Sequence, residues 1–146
     1  MSAVAAPAGY SGTPLAQKLG LKDGQRVLFI SLPKDLKDLR KARHFIEIAE
    51  AGWESFADGD PGYDVIHGFT DSRKVLAASA KSLMNQIDRD GSVWISWPKK
   101  ASKVPTDITE DVIREIVLPI GLVDVKVAAV NEIWSGLKLV IRKELR

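Results

Sequence analysis

Three short apolar runs constrain this chain more than anything else in it: Arg26-Val27-Leu28-Phe29-Ile30-Ser31, Tyr63-Asp64-Val65-Ile66-His67-Gly68-Phe69 and Ser92-Val93-Trp94-Ile95-Ser96-Trp97. Runs this short and this continuously apolar are what strands buried on both faces of a parallel sheet require. Each is followed by a stretch long enough for a crossover helix. Lys34 to about Glu50 places Leu36, Leu39, Ile46 and the stem of Arg43 on one stripe. Ser72 to Asp88 turns Val75, Leu76, Ser79, Ala80, Leu83, Met84 and Ile87 inward, with Asp71 placed to cap it. Asp107 and Glu110 have capping-box spacing ahead of a third stripe, Val112, Ile113, Ile116 and Val117, which Pro119 and Gly121 end.

The remaining segments complete the pattern. Thr13 and Pro14 open a short helix from Leu15 to Leu19, and Gly20 suits the left-handed position that closes it. Trp53 to Phe56 alternates enough for a short edge strand, the 58–62 segment is turn chemistry, and Asp90-Gly91 reads as another turn. Leu122 to Val130 and Leu137 to Arg142 both alternate around Asn131, Ser135 and Gly136, which predicts a hairpin. Right-handed crossovers then give three parallel strands finished by an antiparallel pair. The fold class that follows is α/β: a Rossmann-like three-layer sandwich of about five strands. Leu137, Leu139 and Ile141 suit a core or an interface equally, since the hairpin leaves a sheet edge.

At 146 residues the expectation is one domain over 10–146, preceded by a disordered N-terminal tail over 1–9. The absence of cysteine excludes disulfides, thiolate metal sites and cysteine nucleophiles, and two histidines are too few for a histidine-built metal cage. No apolar run approaches the roughly 18–20 residues of a membrane span, and the opening residues lack the basic start of a signal peptide, so the expected location is cytoplasmic. A formal charge of +2 is too small to argue for nucleic acid by itself.

A parallel sheet ending in an antiparallel hairpin resembles the second half of a class I S-adenosylmethionine-dependent methyltransferase domain. Tyr63-Asp64-Val65-Ile66-His67 falls where that fold's fourth strand begins, and Asp90-Gly91-Ser92-Val93-Trp94-Ile95 where its fifth does. The resemblance implies a glycine-rich cofactor turn after the first strand. Here that place holds Ser31-Leu32-Pro33-Lys34-Asp35, with no glycine and a proline that removes a donor. The acidic residue expected about 20 residues on has no clean counterpart, because the second and third strands read as shortened or lost. Tyr-Ser-Gly-Thr-Pro-Leu at 10–15, Ser-Trp-Pro-Lys-Lys-Ala-Ser at 96–102, Thr-Asp-Ile-Thr-Glu-Asp-Val-Ile-Arg-Glu at 106–115 and Trp-Ser-Gly-Leu-Lys-Leu-Val at 134–140 resemble the bacterial family called domain of unknown function 3052. That resemblance covers nearly the whole chain from Tyr10 onward. It implies no activity and brings no functional residues.

Ligands of open α/β sheets bind at the carboxyl ends of the parallel strands. Among the residues there, Lys99, Lys100, Ser102 and Lys103 are the anion-binding candidates, and Trp97, Ser31 and Thr70 the pocket candidates. The plainer account is a solvated basic loop beside a helix whose free amides Asp107 and Glu110 already satisfy. His67, inside an apolar strand, suits a hydrogen-bonded core histidine better than a base, and His44 belongs to a basic helical run with Arg40, Lys41 and Arg43. No Ser-His-Asp set, carboxylate pair or phosphate-cradling loop is readable, and no cofactor is implied by the residues. The expected function is therefore a non-catalytic module that binds a protein partner or a small anion. Two alternatives stand beside it: a degenerate methyltransferase-like enzyme, and weak nucleic-acid binding through Lys99, Lys100, Lys103 and the 40–43 cluster.

Overall fold

Arg26–Ile30 (β1) lies inside a six-stranded sheet with Glu47–Ala51 (β2) on one side and Tyr63–Phe69 (β3) on the other, all parallel. The structure, a computed structural model, describes residues 14–146; the expected 1–9 tail and the Thr13 cap lie outside them. Beyond β3 come Ile87–Pro98 (β4), parallel to it, then Trp134–Ile141 (β6) and Leu122–Ala129 (β5), each antiparallel to its neighbour. The order is β2-β1-β3-β4-β6-β5. Six strands, four of them parallel, replace the expected five with three.

Strand periodicity sorts the core into two layers. On one face Leu28, Ile30, Ile66, Val93, Ile95 and Trp97 pack against helices Arg73–Gln86 (α2) and Glu110–Val117 (α3), through Leu76, Leu83, Ile113 and Val117. On the other, Val27, Phe29, Val65, Phe69 and Trp94 lie under Leu15–Lys18 (α1) and a 3-10 helix at Lys34–Lys41, which bring Ala16, Leu19, Leu36 and Leu39. Leu137, Leu139 and Ile141 are buried in the first layer, so the hairpin spends them on the core. Gly20, with φ +71°, closes α1 in the left-handed conformation.

Four local expectations are corrected. The long helix over 34–50 is a 3-10 helix that ends at Lys41, followed by the strand β2. Residues 47–51 alternate, with Ala49 and Ala51 against the core and Ile48 outward, while Ile46 is 76% exposed and belongs to no buried stripe. Pairing decides the matter: β2 runs in register with β1 from Arg26↔Glu47 to Ile30↔Ala51, and the Arg26 guanidinium meets Glu47 at 2.7 Å. The edge strand is therefore β2, and Trp53 to Phe56 is a turn entering a 3-10 helix that buries Phe56.

Asp90-Gly91 makes no turn, because β4 runs straight through it past a bulge facing Tyr63 and Val65. Gly91 serves close approach: a Cβ there would stand 2.8 Å from the Asp64 carbonyl. The caps are also exchanged. Ser72, not Asp71, caps α2 by accepting from the Val75 amide, and Thr109 caps α3 by accepting from Val112. Asp107 instead accepts from the Arg73 amide at 2.7 Å, capping the neighbouring helix.

Candidate functional site

The strand order reverses at β1 and β3, and in open α/β sheets the crevice at that switch point is where a ligand would enter. Two features stand at that end of the sheet, the turn at Ser31 and the Trp53 indole. Ser31 leaves β1 at φ +56°, a left-handed conformation that glycine adopts without cost and serine does not. Its amide is already committed to the Ala51 carbonyl at 2.9 Å, and Pro33 has no amide to offer. The chain thus turns left-handed at Ser31 with the Ser31 amide already taken.

Trp53 fills the space in front. A Cβ on Gly68 would lie 2.5 Å from the Trp53 indole, so the ring occupies the place of the missing side chain at the end of β3. The indole donates Nε1–H to the Phe69 carbonyl at 2.8 Å and meets the Phe56 ring edge-on at 5.8 Å. Thr70 is buried beside it, its hydroxyl accepting from the Ser72 amide and its amide donating to Ser96. The second strand, expected to be shortened or lost, is retained as the five-residue β2. Its acid Glu50 is held by Lys37 at 2.6 Å and Arg40 at 2.9 Å, and the Lys37 hydrogen bond leads in keeping its carboxyl below the ordinary range.

A cavity of about 420 Å³ opens instead at the carboxyl end of β4. Trp97, Pro98, Lys100, Lys103, Val104, Pro105, Thr106, Ile108 and Thr109 line it. It brings together Trp97, Lys100 and Lys103 of the expected site. Lys99, Ser102, Ser31 and Thr70 are not among its walls. Ser102 is spent locally, donating to the Lys99 carbonyl and accepting from the Val104 amide, while the Lys99 amide donates to Ile133. Sequence reading missed Ile108 and Thr109, although a buried-type residue two places after Thr106 was a readable signal that the loop folds back.

The loop returns because Thr106 and Asp107 are tied to the start of α2, through Thr106 Oγ1 to the Asp71 carbonyl and Asp107 to the Arg73 amide. His67 stays outside this site. It lies on the opposite face of the sheet, 1% exposed, stacked on Phe69 with ring centroids 4.2 Å apart, and 2.6 Å from Ser96 Oγ. Burial pushes its pKa down to about 3, so it is a neutral core histidine at physiological pH. His44 is exposed. A second cavity of about 280 Å³ sits at the amino ends of β3 and β4 among Asp64, Asp88, Asp90, Lys22 and Lys138. Burial, and then Lys126 and Lys22, lower the Lys138 pKa.

Solved structures now place this architecture. A SAM-dependent methyltransferase from Aquifex aeolicus superposes with a TM-score of 0.67 at 16% identity, covering 91% of this chain and 90% of that one. The fold is that of the class I methyltransferases. A TehB-like SAM-dependent methyltransferase from Corynebacterium glutamicum gives 0.56 at 12% identity over 88% and 85%. TrmN from Thermus thermophilus gives 0.56 at 11% over 87% of this chain, which spans about half, 47%, of that protein. Identities this low establish the fold alone. No protein-family model matches the chain and no curated protein does, so the likeness to domain of unknown function 3052 rests on its sequence strings. Among the described residues, no helix is long and apolar enough to cross a membrane, and no group of three or more His, Cys, Asp or Glu is placed to hold a metal.

Proposed function

We propose that this chain is a degenerate methyltransferase-like protein, one that keeps the methyltransferase fold, has closed the usual cofactor crevice, and takes its ligand in the cavity at the end of β4. The near end-to-end match to the Aquifex enzyme favours a methyltransferase-like reading over the plain binding module expected from sequence. This is analogy of fold, and the site residues must carry the rest.

Those residues do not fit S-adenosylmethionine at the switch point. The carrying observation is the Trp53 indole lying in the Cβ space of Gly68, supported by the committed Ser31 amide and by Pro33. No methyl-transfer step is therefore assigned.

The test is thermal melting of the wild-type chain with and without S-adenosylmethionine. A ligand present at 100 times its Kd would stabilise the folded state by about 2.7 kcal/mol, a rise of several degrees. We expect no rise. A clear one would overturn the closed crevice and favour a conventional methyltransferase.

A further inference from the structure

The cavity at the end of β4 is apolar in its body and cationic at its rim, and that combination defines a ligand class. Trp97, Pro98 and Val104 supply carbon surface, Val104 being 39% exposed, and Trp97 belongs to the core, so its part of the wall is held rigidly. Lys100 and Lys103 supply two exposed ammonium groups, and no carboxylate is among the lining residues. A volume of about 420 Å³ is within the ordinary range for small-molecule sites.

Three acids close to this loop in sequence are committed elsewhere. Asp107 caps α2 at the Arg73 amide. Glu110 and Asp111 both bind the Arg114 guanidinium at 3.0 Å. Cations elsewhere on this surface show the contrast: Lys37 and Arg40 share Glu50, and Arg73 meets Glu115. Among the described residues, Lys100 and Lys103 form no ion pair. Lys103 also adopts φ +61°, a left-handed conformation disfavoured for a side chain of this kind.

We infer that this cavity binds an organic anion with an apolar body, an aromatic or branched acyl group bearing one carboxylate, phosphate or sulfonate. The apolar part lies on Trp97, Pro98 and Val104, and the anionic group reaches the ammonium groups of Lys100 and Lys103. This inference rests on the proposed use of the β4 cavity.

Titration with anilinonaphthalene sulfonate, an aromatic sulfonate, and with uncharged phenylnaphthylamine tests it. Both probes are followed by their own fluorescence on the folded wild type, Lys103→Gly and Lys100→Ala. The wild type should bind one sulfonate per chain, and each variant should bind it about fivefold more weakly, the scale of one exposed charge contact. The uncharged probe should bind more weakly and ignore both substitutions. Lys103→Gly is the decisive variant, because glycine accepts φ +61° and the fold is not weakened.

Sulfonate affinity unchanged in both variants, equal affinity for the two probes, or no binding would each overturn the inference. Melting with S-adenosylmethionine, run on the same proteins, separates the two ideas. A rise in the wild type that persists in Lys103→Gly defeats the closed crevice and leaves the sulfonate result to decide this cavity.

Discussion

Trp53 and Gly68 form a matched pair, and the match can be measured. Gly68→Ala places a methyl carbon against the indole, so we expect a loss of about 1–3 kcal/mol, the usual scale of overpacking. In a Trp53→Leu background the same alanine should cost much less; denaturant unfolding of all four proteins closes the cycle. Ser31 makes the opposite case. Ser31→Gly removes left-handed strain of about 1–2 kcal/mol at the expense of some unfolded-chain entropy, so a small net gain in melting temperature is expected. His67 sets a pH dependence whose sign follows from its burial. Its folded pKa of about 3 lies below the unfolded value of 6.5, so between them only the unfolded chain carries the proton. Stability is thus full above the unfolded value and falls with acid by about 1.4 kcal/mol per pH unit through that window. Unfolding followed from neutral pH to about pH 4 should show a shallower acid loss in His67→Gln than in the wild type.

At the scale of elements, connections across the sequence carry the packing. Asp107 joins the 103–109 loop to the start of α2, and Asp107→Ala should lower stability by about 1 kcal/mol, the value of a cap, while Asp107→Asn should retain most of it. Both are checked by the midpoint of chemical unfolding. Strands β1, β3 and β5, and β6 from Leu137 on, were legible because continuous or alternating apolar runs report burial directly. Ser135 and Gly136, expected in the hairpin's connection, instead pair with Ala129 and Ala128 inside β6, which begins at Trp134. β2 was not legible, because Ile46 continued the spacing of Leu36 and Leu39 as a helix stripe would. Its strand character comes from register with β1 and from Arg26 on Glu47, partners that no local window contains. Asp90-Gly91 misled for a related reason: its glycine answers to the Asp64 carbonyl, far away in sequence.

For the whole molecule, the methyltransferase fold and the cavity at the end of β4 make ligand binding the property to measure first. The candidate site was partly legible. A lysine loop after a strand that ends in Trp97 could be read directly, and Trp97, Lys100 and Lys103 do line one cavity. That Lys99, Ser102, Ser31 and Thr70 face elsewhere could not be read, since side-chain direction in a loop depends on what the loop docks against. From its residues alone the chain specified its α/β class, its terminal hairpin, the missing glycine turn at 31–34 and the basic loop, because hydrophobic period and turn chemistry act over neighbouring residues. Tertiary structure alone decided that 47–51 is a strand, that Asp107 caps α2, and that the Trp53 indole takes the place of a side chain on Gly68. Each depends on groups brought together from distant parts of the chain, and only the packed sheet brings them into contact.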